Sequence, residues 1–418
     1  MGPGNSVCID DGSIRAYFSG AGAPVCVAGV GMETSVESLP RVAALSDRLE
    51  LAWPNGQRSQ HLYYWLRENC SCPQCRHADA WERIADFMAI PLDIKPAAVC
   101  ADEGGLHLTW PTHDAPCEGT HYGWPWLDDH RSEAEARLAR KRRAQAWSLP
   151  VPTKPELSAP FAGVMADDGE LGRLLAHIDT KGVGFVTGVP GDELAVTRIA
   201  ERIAFVEESH FGRAFDVVSK VRPENLAFTS GALHPHNDLS SRAHLPGVQL
   251  LHCLRNSAKG GDSVLVDGIG AAMRLRRQEE EAFRLLSTHK VSFSSEARDW
   301  QIVNRASVVE VDEDGDIVGT RLHPALLGPV DIEPDEQASF YRAHRALLGI
   351  TLEPDLQFTF RLGEGECVIF DNVRILHART AFDSGSGDRH LKGCYVCRDD
   401  LYSRLHVLQR GAADHRLR

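Results

Sequence analysis

The order of apolar and polar residues predicts short strands in the first part of the chain. Around residues 48–70, two strand-like runs flank a Pro-Asn-Gly turn, and 105-GLHLTWP-111 alternates apolar with polar positions. Alternation with a period of two is typical of a half-buried strand. Residues 1–35 are rich in glycine, and we expect an irregular extension there. The pattern predicts a small β-rich domain over residues 36–130.

A charged segment and a proline-rich segment follow this domain. The run 132-SEAEARLARKRRAQAW-147 consists largely of helix formers, and Ser132 followed by Glu135 fits a capping box. The next run, 149-LPVPTKPELSAP-160, contains four prolines, which favours a linker. We therefore expect residues 131–160 to form a helix and a linker.

Beyond the linker, apolar runs typical of buried strands are punctuated by glycine turns. A helical pattern over residues 169–182 precedes four clear strand patterns, at 183–189, 247–254, 263–268 and 366–371. Many strands with a few helices predict an α+β protein that is mainly β, with a sandwich or barrel core carrying the helices. This second domain is expected to span residues 161–418.

Composition and charge exclude several classes of protein. The 418-residue chain has a formal net charge of -13, so most of its surface repels phosphate, and we expect no nucleic-acid partner. Its 11 cysteines in so long a chain do not resemble a small secreted disulfide framework. No apolar run reaches the roughly 18 residues of a membrane span, and the N-terminus lacks a signal-peptide pattern. We expect a cytoplasmic protein without a membrane partner.

The stretch 68-ENCSCPQCRH-77 places Cys70, Cys72 and Cys75 within six residues. Three thiolates need a fourth ligand to complete a tetrahedral zinc site. His113 follows a predicted strand and is our preferred fourth ligand, while His121 is an open rival. A redox pair and a set of free thiols are alternatives, although no thioredoxin-like βαβ pattern supports the redox interpretation.

A second constellation begins in 231-GALHPHNDLSS-241. His236 and Asp238 lie two residues apart, so an extended chain projects both side chains to one side. With a third ligand such as His377, they would form the two-histidine, one-carboxylate set of non-haem Fe(II) oxygenases. Arg389 lies twelve residues further on, and its guanidinium can hold a carboxylate through two hydrogen bonds. Each residue alone has an ordinary structural explanation, but the ordered set favours an oxygenase.

Four runs resemble the γ-butyrobetaine dioxygenase and trimethyllysine dioxygenase family, namely GVQLLHC (247–253), GGDSVLVDG (260–268), FDNVRILHAR (370–379) and RHLKGCY (389–395). The resemblance covers roughly residues 45–410. It implies a double-stranded β-helix core of the jelly-roll or cupin type, a small zinc-binding N-terminal domain and a homodimer. It also implies an enzyme that uses Fe(II), 2-oxoglutarate and dioxygen to hydroxylate an unactivated C–H bond.

The resemblance assigns roles to individual residues. His236, Asp238 and His377 correspond to the iron ligands. Arg389 corresponds to the arginine that binds the far carboxylate of 2-oxoglutarate, and Asn225 and Ser263 are expected beside this cosubstrate. The zinc ligands implied by the resemblance are Cys70, Cys72, Cys75 and His113. An aromatic cage for a trimethylammonium group is expected from Phe211, Phe215, Phe228 and Tyr395.

The substrate is the least determined feature. Aromatic faces attract quaternary ammonium by cation–π interaction, which favours a small cationic, betaine-like substrate. Three cage positions hold phenylalanine where the family has tyrosine or tryptophan, and plain core packing also explains phenylalanines. Leu239 follows Asp238 where the family's butyrobetaine hydroxylases tend to have tyrosine, and 321-RLHPAL-326 replaces expected polar contacts. Another amine or amino-acid-derived substrate, a non-catalytic cation-binding module and a zinc hydrolase remain alternatives.

Overall fold

The protein consists of two compact units, Met1–Arg142 and Arg143–Leu417. The computed structural model describes residues 6–10, 13–17, 39–111, 117, 119–141, 144–147, 153–218 and 226–410. None of the helices in this part of the chain is both long enough and apolar enough to cross a membrane. Each unit contains its own hydrophobic core.

Short antiparallel strands build the first unit. Its described strands are β1 (Ser6–Asp10), β2 (Ser13–Tyr17), β3 (Arg41–Ala44), β4 (Arg48–Ala52), β5 (Arg58–Leu62), β6 (Ala98–Ala101), β7 (Gly105–Thr109) and β8 (Gly119–Gly123). Its helices are α1 (Tyr63–Glu68), α2 (Trp124–Asp129) and α3 (Ala134–Arg140). One sheet has the order β2-β1-β6-β7-β8 and the other has the order β3-β4-β5.

The N-terminal segment differs from the irregular extension we expected. β1 and β2 pair as an antiparallel hairpin, and β1 also pairs with β6. The sequence signal for this hairpin is the Asp11-Gly12 dipeptide between two short runs, because Asp-Gly suits the tight turns of hairpins.

Side chains alternate between the two faces of the β7–β8 pair. On β7, Leu106 and Leu108 are buried in the core, and on β8 the buried residues are Thr120 and Tyr122. The residues between them, His107 and His121, are exposed. The period of two therefore separates an inner face, directed at the core, from an outer face that carries two histidines.

Helix α3 is shorter than predicted, and its proposed capping box is wrong. The helix begins after Glu133 and ends at Arg140, and no side chain caps its first turn. The Glu133 carboxylate accepts a hydrogen bond of 3.0 Å from the backbone N–H of Gln60. The N-cap is therefore Glu133, one residue beyond Ser132, and the helix begins at Ala134. The tertiary contact of Glu133 outweighs the local Ser132–Glu135 signal.

Strands also dominate the second unit. They are β9 (Ser158–Pro160), β10 (Val183–Thr187), β11 (Val206–Glu207), β12 (Phe215–Val218), β13 (Leu233–His236), β14 (Val248–Asn256), β15 (Lys259–Gly260), β16 (Ser263–Asp267), β17 (Val291–Ala297), β18 (Trp300–Ala306), β19 (Val309–Val311), β20 (Ile317–Thr320), β21 (Gln357–Phe360), β22 (Glu366–Asp371), β23 (Ile375–Arg379), β24 (Phe382–Asp383) and β25 (Arg389–Val396). The helices are α4 (Phe161–Ala166), α5 (Asp168–Lys181), α6 (Ala195–Ile203), α7 (Gly268–Gln278), α8 (Glu280–Thr288), α9 (Pro334–Thr351) and α10 (Arg398–Arg410).

Two sheets form the core of this unit. The larger sheet has the order β11-β25-β14-β22-β10-β9, with β12 also paired to β25, and the smaller has the order β13-β23-β16-β21. Short two-stranded ribbons, β15–β24, β17–β18 and β19–β20, accompany them. The prediction of a double-stranded β-helix that is mainly β with helices is confirmed.

Alternation along the strands explains how the helices are held. Phe185, Val368 and Phe370 lie on one face of the larger sheet and pack in a hydrophobic cluster with residues of the smaller sheet. Their neighbours Val186 and Ile369 lie on the opposite face and pack with α5, α6 and α10. A further cluster joins α7, α8 and α9 to the other side of the smaller sheet. Strands buried on both faces read as continuous apolar runs, which is the pattern seen in the sequence.

Candidate active site

His236, Asp238 and His377 meet on the wall of one cavity. His236 ends β13, and His377 lies directly opposite it on β23. The Nε2 atoms of both histidines lie 3.5 Å from Asp238 Oδ1, and one ligand atom from each of the three residues lies within 4.8 Å of the others. Two imidazoles and one carboxylate in this arrangement fit a non-haem Fe(II) ion with open positions.

Hydrogen bonding and burial keep the imidazoles in the form that binds a metal. His236 Nδ1 lies 2.7 Å from the carbonyl oxygen of His234. A carbonyl only accepts, so Nδ1 carries the proton and Nε2 keeps its lone pair. Burial and the neighbouring His236 lower the pKa of His377 to about 3. The His377 ring is therefore a neutral ligand near pH 7, and His236 presents the Nε2 lone pair.

Two buried asparagines fix the backbone around the carboxylate. Asn372, just after β22, accepts a 2.8 Å hydrogen bond from the Asp238 backbone N–H and donates to the Asp238 carbonyl at 3.2 Å. Asn237 donates to the Asn372 carbonyl at 2.5 Å and accepts from the Leu322 N–H at 2.8 Å. Both amides are completely buried. They hold the segment that carries Asp238, and sequence reasoning missed them because their partners are distant backbone groups.

Arg389 lines the same cavity as the triad. It is 9% exposed, and burial lowers its pKa. Within the described ranges no carboxylate forms an ion pair with it, and its Nε has no hydrogen-bond partner there. A buried guanidinium without an anion is costly, so this position fits the distal carboxylate of 2-oxoglutarate. Ser263, at the start of β16, lines the cavity too.

A second arginine, Arg379, supports the cavity from β23. Its guanidinium donates to the carbonyl oxygens of Thr229 and Gly231, both at 2.7 Å, and to that of Ala227 at 3.1 Å. These bonds hold the segment that follows Phe228. Asn225, predicted beside the cosubstrate, lies outside the described residues.

Aromatic rings form a continuous wall beside the triad. The ring centroids of Phe211 and Phe215 lie 6.1 Å apart, and those of Phe215 and Tyr395 lie 5.0 Å apart. Phe228 lines the same cavity. The Tyr395 hydroxyl donates a 2.8 Å hydrogen bond to Asp238 Oδ2, so the aromatic wall contacts the triad directly. The structure thus brings all four predicted cage residues to one cavity.

Three further residues at this site were not singled out as site residues from the sequence. The ring of His323 lies 4.7 Å from that of His236, centroid to centroid, and lines the cavity. Trp300, on the β17–β18 ribbon, lies 6.3 Å from Phe211. Leu239 lines the cavity with a φ of 56°, a left-handed conformation that branched residues rarely adopt. Such strain often accompanies functional sites.

The first unit contains a separate cluster of sulfur ligands. One ligand atom each from Cys70, Cys72, Cys75 and Cys117 lies within 4.8 Å of the others. Cys117 Sγ lies 3.6 Å from Cys70 Sγ and 3.5 Å from Cys75 Sγ. Burial raises the pKa of Cys75 to about 11, so a cation is needed to hold the Cys75 sulfur as a thiolate. The donor set fits structural zinc, which binds four thiolates tetrahedrally.

Among the described residues, Cys117 takes the fourth position of this cluster. His113 lies outside the described residues. His121, the rival ligand, points away from the sulfurs, because it alternates with Thr120, whose hydroxyl lies 3.1 Å from Cys70 Sγ. Cys117 was not predicted from the sequence, because it lies 42 residues beyond Cys75 and outside the cysteine-rich stretch.

A two-histidine, one-carboxylate triad inside a double-stranded β-helix defines a class of enzyme when it lies beside a buried arginine such as Arg389, which has no ion-pair partner among the described residues. That class is the Fe(II)- and 2-oxoglutarate-dependent dioxygenases. Comparison with known proteins agrees. A family model described as "Taurine catabolism dioxygenase TauD, TfdA family" matches residues 149–395. A second, described as "Gamma-butyrobetaine hydroxylase-like, N-terminal", matches residues 41–128.

Relatives with names narrow the assignment. A gamma-butyrobetaine dioxygenase of Pseudomonas sp. (strain AK-1) is 37% identical over 90% of this chain and 97% of its own length. The gamma-butyrobetaine dioxygenase of Homo sapiens is 27% identical over 86% of this chain and 94% of its own length. A trimethyllysine dioxygenase of Meyerozyma guilliermondii is 27% identical over 87% and 94%. This chain belongs to the γ-butyrobetaine dioxygenase and trimethyllysine dioxygenase family within the TauD/TfdA dioxygenases, as its sequence motifs predicted.

Proposed function

We propose that this enzyme hydroxylates an unactivated C–H bond of a small quaternary-ammonium, betaine-like substrate. The observation that carries the proposal is the aromatic wall of Phe211, Phe215 and Tyr395 directly beside the triad. Among the described residues that line the cavity, Asp238 is the only carboxylate, and it belongs to the triad. A trimethylammonium group has no N–H and cannot donate a hydrogen bond, so aromatic faces suit it better than a salt bridge does.

The names of the relatives support this substrate class. The Pseudomonas and human proteins are named for γ-butyrobetaine, and the Meyerozyma protein for trimethyllysine. Both substrate names denote trimethylated ammonium compounds. The phenylalanines at positions 211 and 215 keep the aromatic faces without a hydroxyl group, so the cation would be held by π faces alone.

The proposed roles of the residues follow from their positions. His236, Asp238 and His377 would hold Fe(II), which supplies activation of dioxygen for oxidation of 2-oxoglutarate and of the substrate. Arg389 would bind the distal carboxylate of 2-oxoglutarate and so orient its other end toward the triad. Ser263 would add a hydrogen bond to the same cosubstrate.

The aromatic wall would orient the substrate relative to the triad. Phe211, Phe215, Phe228 and Tyr395 exclude water from one side of the cavity, which strengthens electrostatic attraction there. His323 offers a polar group on the same cavity wall, available to the polar end of the substrate. This imidazole stands within the run that replaces the family's usual polar contacts, so it is our candidate for a residue that distinguishes among ammonium substrates.

The first unit would be stabilised by one zinc ion. Cys70, Cys72, Cys75 and Cys117 supply four buried or partly buried sulfurs, and the buried Arg67 donates to Cys75 Sγ at 3.4 Å. Four thiolates and Zn²⁺ leave a net charge of minus two, which Arg67 partly offsets. A homodimer belongs to the same proposal and rests on the family resemblance, and a cytoplasmic location is proposed with it.

The test is a panel of betaines and amines, with succinate formation as the measurement. The panel contains γ-butyrobetaine, trimethyllysine, other trimethylammonium acids and their primary-amine counterparts. We expect Fe(II)-dependent succinate formation with at least one trimethylated compound and much less with its primary-amine counterpart. His236→Ala and Asp238→Ala should abolish the activity, and His406→Ala, at an exposed position on α10, should not.

Two outcomes would overturn the proposal. Binding of 2-oxoglutarate without turnover of any compound would indicate a non-catalytic binding module. Equal turnover of trimethylated and primary amines would show that the aromatic wall does not select quaternary ammonium.

A further inference from the structure

The geometry points to a second metal site on the first unit, built from Asp102, His107 and His121. One ligand atom from each residue lies within 4.8 Å of the others. The site would take a borderline divalent transition-metal ion, of the Ni²⁺, Cu²⁺ or Zn²⁺ type. It is distinct from the four-sulfur cluster, because its histidines project from the outer face of the sheet and the sulfurs lie against the inner face.

The register of two strands places the imidazoles side by side. His107 on β7 and His121 on β8 are directly opposite partners in the antiparallel pair. Such partners have Cβ atoms about 4.5–5.5 Å apart on the same face, and the ring centroids lie 4.3 Å apart. Two imidazoles that share one cation gain from this proximity, whereas two protonated rings would repel each other.

The carboxylate is held in place by the turn that precedes β7. Asp102 Oδ1 accepts hydrogen bonds from the backbone N–H groups of Gly104 at 2.8 Å and Gly105 at 3.0 Å. Its other oxygen, Oδ2, lies 2.9 Å from His107 Nε2. The turn therefore fixes the rotamer of Asp102 and leaves Oδ2 directed at the histidines.

The surroundings of Gly104 show that the His121 imidazole is directed at the turn that holds Asp102. A Cβ atom on Gly104 would lie 3.2 Å from Asp102 Oδ1 and 3.8 Å from His121 Nε2. The Nε2 of His121 is thus directed at the turn that holds the carboxylate. The three residues and Gly104 line one surface hollow together with Glu103, whose carboxylate could supply a further oxygen ligand.

The donor set determines the class of ion. Two imidazole nitrogens and one carboxylate oxygen suit Zn²⁺, Ni²⁺ and Cu²⁺, whereas Mg²⁺ and Ca²⁺ prefer oxygen ligands alone. His107 and His121 are exposed and Asp102 is half-buried, so the ion would keep several waters and exchange readily with solution. The Asp102 hydrogen bonds support the ligand as an outer shell does in other metal sites.

The experiment is equilibrium dialysis of Ni²⁺ against the tag-free full-length protein with its zinc in place. Every variant keeps the His236, Asp238 and His377 triad, so Ni²⁺ bound there is the same in all of them. Differences among the variants in the amount of bound Ni²⁺ therefore report the second site. We expect His107→Ala and His121→Ala each to bind one Ni²⁺ per chain fewer than the wild type, at a free Ni²⁺ concentration that saturates the wild type. Asp102→Asn should weaken binding of that ion, because it removes the negative charge of one proposed ligand.

His406→Ala is the matched control, because it removes one exposed histidine of α10 and should leave Ni²⁺ binding unchanged. Zinc content and circular dichroism of each variant are measured first, and His121→Gln replaces His121→Ala if the latter fails to fold. Equal Ni²⁺ binding by the wild type and the His107 and His121 variants overturns the inference. So does an equal loss in His406→Ala.

Discussion

At the scale of single residues, Tyr395 links the two functions of the cavity. Its ring packs 5.0 Å from Phe215, centroid to centroid, and its hydroxyl donates to Asp238. The same side chain therefore shapes the substrate wall and supports a metal ligand. Burial and the adjacent Asp238 raise the pKa of Tyr395 well above its usual value, so the hydroxyl stays protonated and keeps donating.

Tyr395→Phe separates these two roles, because it removes the hydroxyl and keeps the ring. Outer-shell hydrogen bonds to metal ligands are worth about 10–100-fold in metal affinity or activity, so we expect roughly a tenfold weaker affinity for Fe(II). The KM of the ammonium substrate should change little. Metal titration and steady-state kinetics measure the two effects. Tyr341→Phe, at a half-exposed position on α9, is the control; a large rise in KM with unchanged metal affinity would contradict the prediction.

A second prediction at the scale of single residues concerns how the buried His61 makes stability depend on pH. This side chain is 2% exposed, and burial lowers its pKa to about 4 from an unfolded value near 6.5. The folded state therefore binds fewer protons than the unfolded state between these values, and stability falls as the pH drops from about 6.5 toward 4. Above about pH 6.5, His61 is neutral in both the folded and the unfolded state, so the loss of stability is absent there.

The effect of His61 is measured by urea unfolding at several pH values. A difference of about 2.5 pKa units corresponds to roughly 3 kcal/mol at the acidic end of the window. His61→Asn removes the titrating group, so its free energy of unfolding should fall less steeply with acid than that of the wild type. Parallel pH profiles for the two proteins would show that other groups, such as the zinc-binding sulfurs, account for the acid sensitivity.

At the scale of elements, a buried ion pair joins the β22–β23 connection to the start of α7. Arg374 Nη2 lies 2.9 Å from Asp267 Oδ2, and Asp267 caps α7 by accepting from the Gly270 N–H at 3.2 Å. Arg374 also donates to the carbonyls of Thr180, near the end of α5, and Gln145. The Arg374 guanidinium, just before the strand that carries His377, therefore connects three segments of the second unit. These are the start of α7, the end of α5 and the segment around Gln145.

Arg374→Ala should destabilise the second unit strongly, because Asp267 would remain buried and unpaired. Removing one partner of a buried ion pair typically costs about 3–5 kcal/mol. Arg284→Ala breaks an exposed ion pair with Glu281 and should change the free energy of unfolding by less than about 1 kcal/mol. Chemical unfolding measures both variants, and similar losses would contradict the assignment of Arg374 as a structural tie.

The same elements show what the sequence could and could not predict. The strands at 183–189, 263–268 and 366–371 were predictable, because burial on both faces makes continuous apolar runs. The pairing of His236 with Asp238 was predictable from their two-residue spacing, although β13 ends at His236 and Asp238 lies in the turn that follows. The contacts of Asn372 and Arg374 were not predictable, since their partners, which are backbone groups and the Asp267 carboxylate, lie more than 100 residues away in sequence. The α3 boundary failed for a similar reason, a tertiary contact of Glu133.

At the scale of the whole molecule, separate cores in the two units predict separate responses to metal loss. Structural zinc in small domains binds with roughly 10–16 kcal/mol, which is comparable with the total stability of a domain. Cys117→Ser should therefore lose zinc and melt the first unit at a lower temperature. Fe(II) binding by the second unit should persist.

Calorimetry with metal analysis tests this prediction. Cys397→Ser, at a partly exposed cysteine of the second unit, is the control and should keep its zinc and its melting profile. Full zinc content in Cys117→Ser would show that another residue completes the site.

The short distances among the sulfurs have a consequence for handling the protein. Cys117 lies within 3.6 Å of both Cys70 and Cys75, and a small movement would bring either pair to the roughly 2.05 Å of a disulfide bond. A preparation that loses its zinc in air would therefore become trapped as an oxidised form. Adding zinc would restore the site only after a reductant had reopened the disulfide bond. Two samples of identical sequence could therefore differ in zinc content because only one of them had lost its zinc in air.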